Sequence, residues 1–240
     1  MAIIGDVHGR ADLLERLVNA LATRHAAVST IVCVGDYIDR GEHSARVLAY
    51  LQQLQQGSWP GRLICLKGNH EAMMLDYLDA PDDTGSFWLQ NGGAYTLASF
   101  GISVPTRDPS THQTTRARLR ASLPVGTEAW LRALPVCFQS GNVFVAHAGA
   151  DPNAPITRQD ETCLLWGHPD FERRTRRDGV WVAHGHRIRA HPVAEFGRIG
   201  VDTGAYATNR LTAAVIAEGQ CHFISTDSFG NAERDINATV

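Results

Sequence analysis

Acidic and imidazole side chains recur where apolar runs of this chain end. "MAII" runs into Asp6 and His8 of "GDVHG", and "TIVCV" into Asp36, Asp39 and Arg40 of "GDYIDRG". "RLICL" is followed by Asn69, His70 and Glu71 of "GNHE", "NVFVA" by His147, and "VWVAHG" by His186. Carboxylates and neutral imidazoles together suit borderline divalent metals such as Mn²⁺, Fe²⁺ or Zn²⁺, whereas a Mg²⁺ site carries few or no histidines. One ion takes about four to six ligands, and this inventory exceeds that number. Two ions about 3.5–4 Å apart, sharing one carboxylate, would use it.

Such loops must be carried to a common edge. The first half of the chain supplies a strand–loop–helix rhythm three times over. Apolar residues at helical spacing (Leu13, Leu14, Leu17, Val18, Leu21) follow the first loop, "HSARVLAYLQQLQQ" follows the second, and "AMMLDYLD" the third. That rhythm predicts a parallel sheet covered by helices, with functional groups at the strands' carboxyl ends. From about Pro81 to Leu134 the pattern changes. "PDDTGSFWLQNGGAYTLASFG" reads as helix broken at Gly92-Gly93, and the polar, proline-punctuated "SVPTRDPSTHQTTRARLRASLP" reads as a cap. Strands return in "NVFVAHAG", "VWVAHGH", "RIGVDTG" and "LTAAVIA", and predict a second sheet closing over the first. The expectation is one α/β domain over 1–240 with a cap or specificity segment at about 81–125. Its architecture would be an α+β sandwich of two mixed β-sheets packed together and flanked by helices.

Composition excludes several classes. The 240 residues are 44% hydrophobic and 20% charged, with net charge −3, so neither nucleic acid nor an anionic membrane is the expected partner. No apolar run approaches the ~20 residues of a membrane span, and the chain reaches Gly5-Asp6 too soon for a signal peptide. Five dispersed cysteines without a C-x-x-C pair read as reduced thiols of a cytoplasmic protein, where the sequon at Asn237 is irrelevant. "HEAMM" ends in Met74 where a zincin helix needs histidine, and neither a G-x-S-x-G elbow nor a phosphate-binding G-x-x-x-x-G-K-[ST] loop occurs.

The ordered set "GDVHG", "GDYIDRG", "GNHE", "HAG", "HGH" resembles the phosphoprotein-phosphatase branch of the calcineurin-like metallophosphoesterases. Within that superfamily it is most similar to the small bacterial and phage-type serine/threonine protein phosphatases. The resemblance implies a metallophosphoesterase-like fold with a dimetal site at the strand ends. It also implies two divalent ions per chain, Mn²⁺ first, with Fe²⁺, Zn²⁺ and Ni²⁺ as alternatives. Asp6, His8 and Asp36 would hold the first ion; Asp36 would bridge to a second completed by Asn69, His147 and His186. A hydroxide bridging the ions would attack phosphorus, His70 would be the general acid oriented by Asp39, and Arg40 would grip the phosphate.

Substrates would be phosphorylated proteins or small phosphate esters, with phosphoserine and phosphothreonine expected and phosphotyrosine in reach. Asp39 and the "GNHE" ending favour monoesters over the alternative, a diadenosine tetraphosphate or nucleotide hydrolase of the same fold. A complete ligand set argues against a non-catalytic binding module. Two departures stand out. Relatives usually read "LLWIR" where this chain has "LLWGH", so Gly167-His168 replaces a second phosphate-binding arginine. Arg187 in "HGHRI" stands where threonine is common, so His168 and Arg187 are the candidates to take over that contact. His184 is expected to support the site from behind, Asp202 and Tyr206 from a closing strand, and "ERRTRR" at 172–177 reads as a solvated face.

Overall fold

The computed structural model describes residues 1–106, 109–228 and 238–240. Arg107 and Asp108 of the polar segment, and Asn237 of the sequon, lie outside the described residues. In chain order the first half gives β1 (Ala2–Ile4), α1 (Ala11–Arg24), β2 (Thr30–Cys33), α2 (Ser44–Gln53), β3 (Arg62–Cys65) and α3 (Asn69–Asp79). Helices α4 (Pro81–Trp88), α5 (Ala94–Ser99), α6 (Pro109–Ser122) and α7 (Thr127–Ala133) follow. Next come β4 (Cys137–Ser140), β5 (Val143–Ala146), α8 (Glu161–Trp166), β6 (Trp181–His184), β7 (Val193–Glu195) and β8 (Arg198–Gly200). The described chain closes with α9 (Ala205–Thr208), β9 (Thr212–Ala217), β10 (Gln220–Ser225) and β11 (Ala238–Thr239).

Two mixed sheets result, with strand orders β11-β10-β9-β1-β2-β3 and β4-β5-β6-β8-β7. β1, β2 and β3 run parallel, in register Ala2↔Ile31 and Thr30↔Arg62, while β9 returns antiparallel to β1. In the second sheet β5, β6 and β8 are parallel and the outer strands β4 and β7 antiparallel.

Alternation along each strand divides its side chains between two cores. Ile3, Val32 and Ile64 of the first sheet meet Val143, Val145, Ala183 and Ile199 of the second in the layer between the sheets. Their neighbours Ala2, Ile4, Ile31, Cys33, Leu63 and Cys65 point the other way, into a core shared with α1 to α7. Phe144, Ala146 and Val182 cover the far face of the second sheet with Leu164 of α8 and Phe171. The predicted apolar face of α1 is buried as its spacing requires. Residues 81–99 carry α4 and α5, interrupted at Gly92, whose φ of 110° breaks the helix where the sequence reading put the break. Trp88 of α4, Leu97 of α5 and Leu119 of α6 are fully buried in the large core. Among the described residues no helix is long and apolar enough to cross a membrane.

Candidate metal centre and active site

Three parallel strands of each sheet end at one edge, and the polar loops that follow them converge there. Asp36 is the meeting point. Its Oδ2 lies 3.4 Å from His8 Nε2 and 3.8 Å from His70 Nε2, and its Oδ1 lies 3.3 Å from His147 Nε2. Two clusters of potential ligand atoms follow, His8–Asp36–His70 and Asp36–His147–His186, and Asp36 belongs to both. Asn69 joins the second: its Oδ1 is 2.8 Å from His147 Nε2 and 3.1 Å from His186 Nδ1.

Backbone acceptors fix which ring nitrogens face inward. His8 Nδ1 is 2.8 Å from Ile38 O, and His147 Nδ1 is 3.1 Å from Val34 O. A carbonyl only accepts, so each Nδ1 carries the proton and each Nε2 presents a lone pair to the cluster. His147 Nε2 then lies 2.8 Å from Asn69 Oδ1 and 3.3 Å from Asp36 Oδ1, acceptor facing acceptor, an arrangement that calls for a cation among them. Separations near 3 Å match the edge of an octahedron with bonds of ~2.1 Å. The donor set therefore fits divalent ions.

Electrostatics agree. Burial pushes His8 down to about 3 and His186 to about 4, and also lowers His147, so these imidazoles are neutral at physiological pH. Burial alone would raise Asp36; His147, His70 and His8 outweigh it and hold the carboxylate ionised. Neutral imidazole beside ionised carboxylate is the protonation state that metal binding requires.

Asp6 is placed differently from the other expected ligands. Both its oxygens accept from the His186 backbone amide, at 3.1 and 3.0 Å, and it lies outside the two three-residue clusters, where His70 accompanies His8 instead. Burial, then Asp202 and Asp36, raise its pKa well above the usual range. Asp202, outside both clusters, is likewise raised to about 6 by burial.

The second expected group is a pair. His70 Nδ1 and Asp39 Oδ2 are 2.7 Å apart, and both residues are buried. Burial alone would lower the His70 pKa, but Asp36 and the Asp39 hydrogen bond outweigh it and raise it. Arg40 Nη1 lies 3.2 Å from His8 Nε2, and its guanidinium sits 5.1 Å from the centre of the Tyr206 ring. A groove of about 460 Å³ opens beside it, lined by Arg40, His43, Tyr95 and Tyr206 among others. A larger cleft of about 720 Å³, lined by Asn153 and residues 174–177, touches none of these groups.

The two substitutes for the absent arginine differ in setting. His168 Nδ1 accepts from the Asp170 amide at 3.1 Å, and its Nε2 faces Asp151 at 3.8 Å, so it closes a local turn. Arg187 pairs with Glu172 at 2.9 Å, and its Nη2 would lie 3.4 Å from a Cβ placed on Gly167. Arg187 thus borders the space that Gly167 leaves open. His184 ends β6, buried edge-on against Phe171 and outside both clusters.

Sequence reading named Glu71 without giving it a structural role, and passed over Trp88 and Thr96. Glu71 is buried and accepts from the amides of Asp36, Gly68 and Tyr37 at 2.8–2.9 Å, clamping two of the loops together. Its negative charge three residues into the "GNHE" helix start was the available signal. Gly35 (φ 110°) and Gly68 touch there, and a Cβ on either would strike the other loop's backbone.

Comparison with known proteins agrees with this geometry. The model of the calcineurin-like phosphoesterase family matches residues 1–198, and the chain belongs to that family. It is therefore a phosphoesterase that works with divalent metal ions. Serine/threonine-protein phosphatase 2 of Salmonella typhimurium is 37% identical over 220 residues, covering 88% of this chain and 89% of that one. The asymmetrical bis(5'-nucleosyl)-tetraphosphatase PrpE of Bacillus velezensis is 27% identical over 232 residues, covering 88% and 86%. A solved structure provisionally named a diadenosine tetraphosphatase superposes with a TM-score of 0.65 at 24% identity, covering 93% and 92%, a likeness that shows the fold alone.

Proposed function

We propose that this protein is a phosphomonoesterase acting on phosphoserine and phosphothreonine in proteins, with phosphotyrosine and small phosphate esters within reach. The observation that carries the reading is the buried His70–Asp39 pair at 2.7 Å, beside the Asp36 clusters. An alkyl phosphate has a poor leaving group, and a positioned imidazolium is what its departure needs. The extended likeness to a serine/threonine phosphatase points the same way.

Asp6, His8 and Asp36 would hold one cation, and Asp36, Asn69, His147 and His186 a second, with Mn²⁺ the expected metal and Fe²⁺, Zn²⁺ or Ni²⁺ as alternatives. Bound there, two divalent ions would make water a nucleophile at neutral pH and neutralise charge on the phosphoryl oxygens. Arg40 would grip a phosphate oxygen with a permanent, forked donor set, and Arg187, paired with Glu172 at the edge of the space beside Gly167, would supply the second guanidinium by exchanging that carboxylate for phosphate. As the P–O bond to the leaving group breaks, His70 Nε2 gives its proton to the departing alkoxide. Asp39 holds Nδ1–H and balances the imidazolium until it loses that proton. Products are an alcohol and inorganic phosphate. Tyr95 of the 81–125 segment lines the groove beside Arg40, and we read that segment as shaping specificity. The five free cysteines fit a reducing compartment, and we place the protein in the cytoplasm.

A second reading, hydrolysis of dinucleoside tetraphosphates, is favoured by the 27% identity over 232 residues to PrpE. Metal-stripped protein refilled with Mn²⁺ and offered a phosphoserine peptide, an aryl phosphate and diadenosine tetraphosphate separates the two. A kcat/KM highest on the peptide supports the monoesterase. A kcat/KM highest on the tetraphosphate replaces it with the second reading.

A further inference from the structure

Asp39 is fully buried, and its carboxylate is held by more than His70. The Trp88 indole N–H donates to Oδ2 at 2.9 Å, the oxygen that also faces His70 Nδ1, and the Thr96 hydroxyl donates to Oδ1 at 2.5 Å. The Asp39 amide in turn donates to Thr96 Oγ1 at 2.9 Å and to Ser44 Oγ at 3.1 Å. The residue's left-handed backbone (φ 70°) and its side chain are thus clamped by the same hydroxyl. Trp88 has no room to swing away. Its ring is fully buried, stacks at 4.8 Å on Tyr77, and covers the space where Gly93 lacks a Cβ. A buried indole N–H needs an acceptor, and Asp39 is the one it has.

Trp88 and Thr96 lie on α4 and α5, a stretch that supplies none of the clustered ligand atoms. We propose that they are positioning residues for leaving-group protonation: they lock the Asp39 carboxylate so that it keeps His70 Nδ1 engaged and Nε2 turned towards the reacting phosphate. This rests on the phosphomonoesterase reading above. A purely structural role for the same contacts would lower stability and slow every substrate alike. A positioning role penalises the substrates whose leaving group needs the proton, and spares those whose leaving group departs as a stable phenolate.

The test uses the Mn²⁺-loaded full chain, with kcat measured on a phosphoserine peptide and on p-nitrophenyl phosphate, and metal content assayed. Trp88→Phe removes one N–H with little change of shape, Thr96→Val removes the hydroxyl, and Thr96→Ser restores it. Trp88→Phe and Thr96→Val should each lower kcat on the peptide by about 5- to 50-fold, less than loss of His70 itself. On the aryl ester the loss should stay within about threefold, Thr96→Ser should resemble wild type on both, and metal content should not change. Equal losses on the two esters, no loss on the peptide, or a Thr96→Ser protein as damaged as Thr96→Val would overturn the proposal. Should Trp88→Phe not fold, the Thr96 pair decides alone. A wild type that hydrolyses neither ester removes the monoesterase reading, and this inference with it.

Discussion

At the scale of single residues, the site is built from backbones that side-chain-bearing residues usually avoid. His8, Asp36, Asp39, Arg40 and His186 have φ of 43°, 53°, 70°, 66° and 61°, all in the left-handed region. Each costs about 1–3 kcal/mol and persists only because its surroundings over-determine it. Glu71 supplies part of that constraint by accepting from the Asp36 and Tyr37 amides. His70→Asn should leave cation binding intact and slow turnover on alkyl esters by roughly 10²–10⁴, the range for a lost general acid. The loss should be smaller on aryl phosphates. Equal defects on both would rule out His70 as the acid. Arg187→Ala should lower kcat/KM by about 10- to 150-fold, the worth of one charge-assisted hydrogen bond made once Arg187 exchanges Glu172 for phosphate, whereas His168→Ala should stay within about threefold because its Nδ1 is committed to the Asp170 amide and it lacks a permanent charge. Steady-state kinetics on the two variants checks this, and the reverse ranking would transfer the phosphate contact to His168. The ligand types and Arg40 were legible in the sequence because charged residues rarely follow buried strands without a task. Trp88 was not, since a tryptophan in a helix announces burial but not what its N–H meets.

Elements explain how the strained residues are held. The turn between α4 and α5 lies against Arg40: a Cβ on Gly92 (φ 110°) would fall 2.8 Å from Arg40 N and 2.9 Å from its Cγ. Gly57 has a nearly identical φ of 114° but nothing within 4 Å, which makes it a matched control. Gly57→Ala and Gly92→Ala should both lower Tm by a few degrees, from about 1 kcal/mol of backbone strain. Only Gly92→Ala should also raise KM for a phosphopeptide, by roughly tenfold, as Arg40 is displaced. Thermal melts with parallel KM measurements decide, and an unchanged KM in Gly92→Ala would free Arg40 from this turn. Continuous apolar runs for the strands and the 3.6-period face of α1 made the layers readable in advance. The role of 81–99 was hidden because its contacts to Asp39 span 49 to 57 residues of sequence, which local patterning does not encode.

For the molecule as a whole, the meeting of the two sheets' loops buries carboxylates beside one another. Asp6 and Asp202 lie buried near Asp36; burial first and then the neighbouring carboxylates, Asp202 and Asp36 for Asp6 and Asp36 for Asp202, raise both, Asp202 to about 6. A carboxylate raised on folding holds its proton longer in the native state. Its contribution to stability is therefore present below its unfolded value near 4 and is lost as pH rises through about 6. Metal-stripped protein should accordingly lose stability between pH 4 and 7, by about 3 kcal/mol for a rise of this size and read as a falling Tm, and divalent cations should restore it. A stripped protein equally stable across that range would show that the carboxylates are not uncompensated. Fold class was legible because apolar runs and helical patterns alternate along the chain; Asp36 as the shared residue was implied by the resemblance and not by local patterning, and among the described residues it belongs to both clusters. The direct test of that junction is the number of Mn²⁺ equivalents bound, by calorimetric titration, to metal-stripped wild type and Asp36→Asn. Wild type should bind two per chain and Asp36→Asn should lose at least one, with near-total loss of turnover. Two tightly bound ions in Asp36→Asn would contradict a shared carboxylate at the centre of the site.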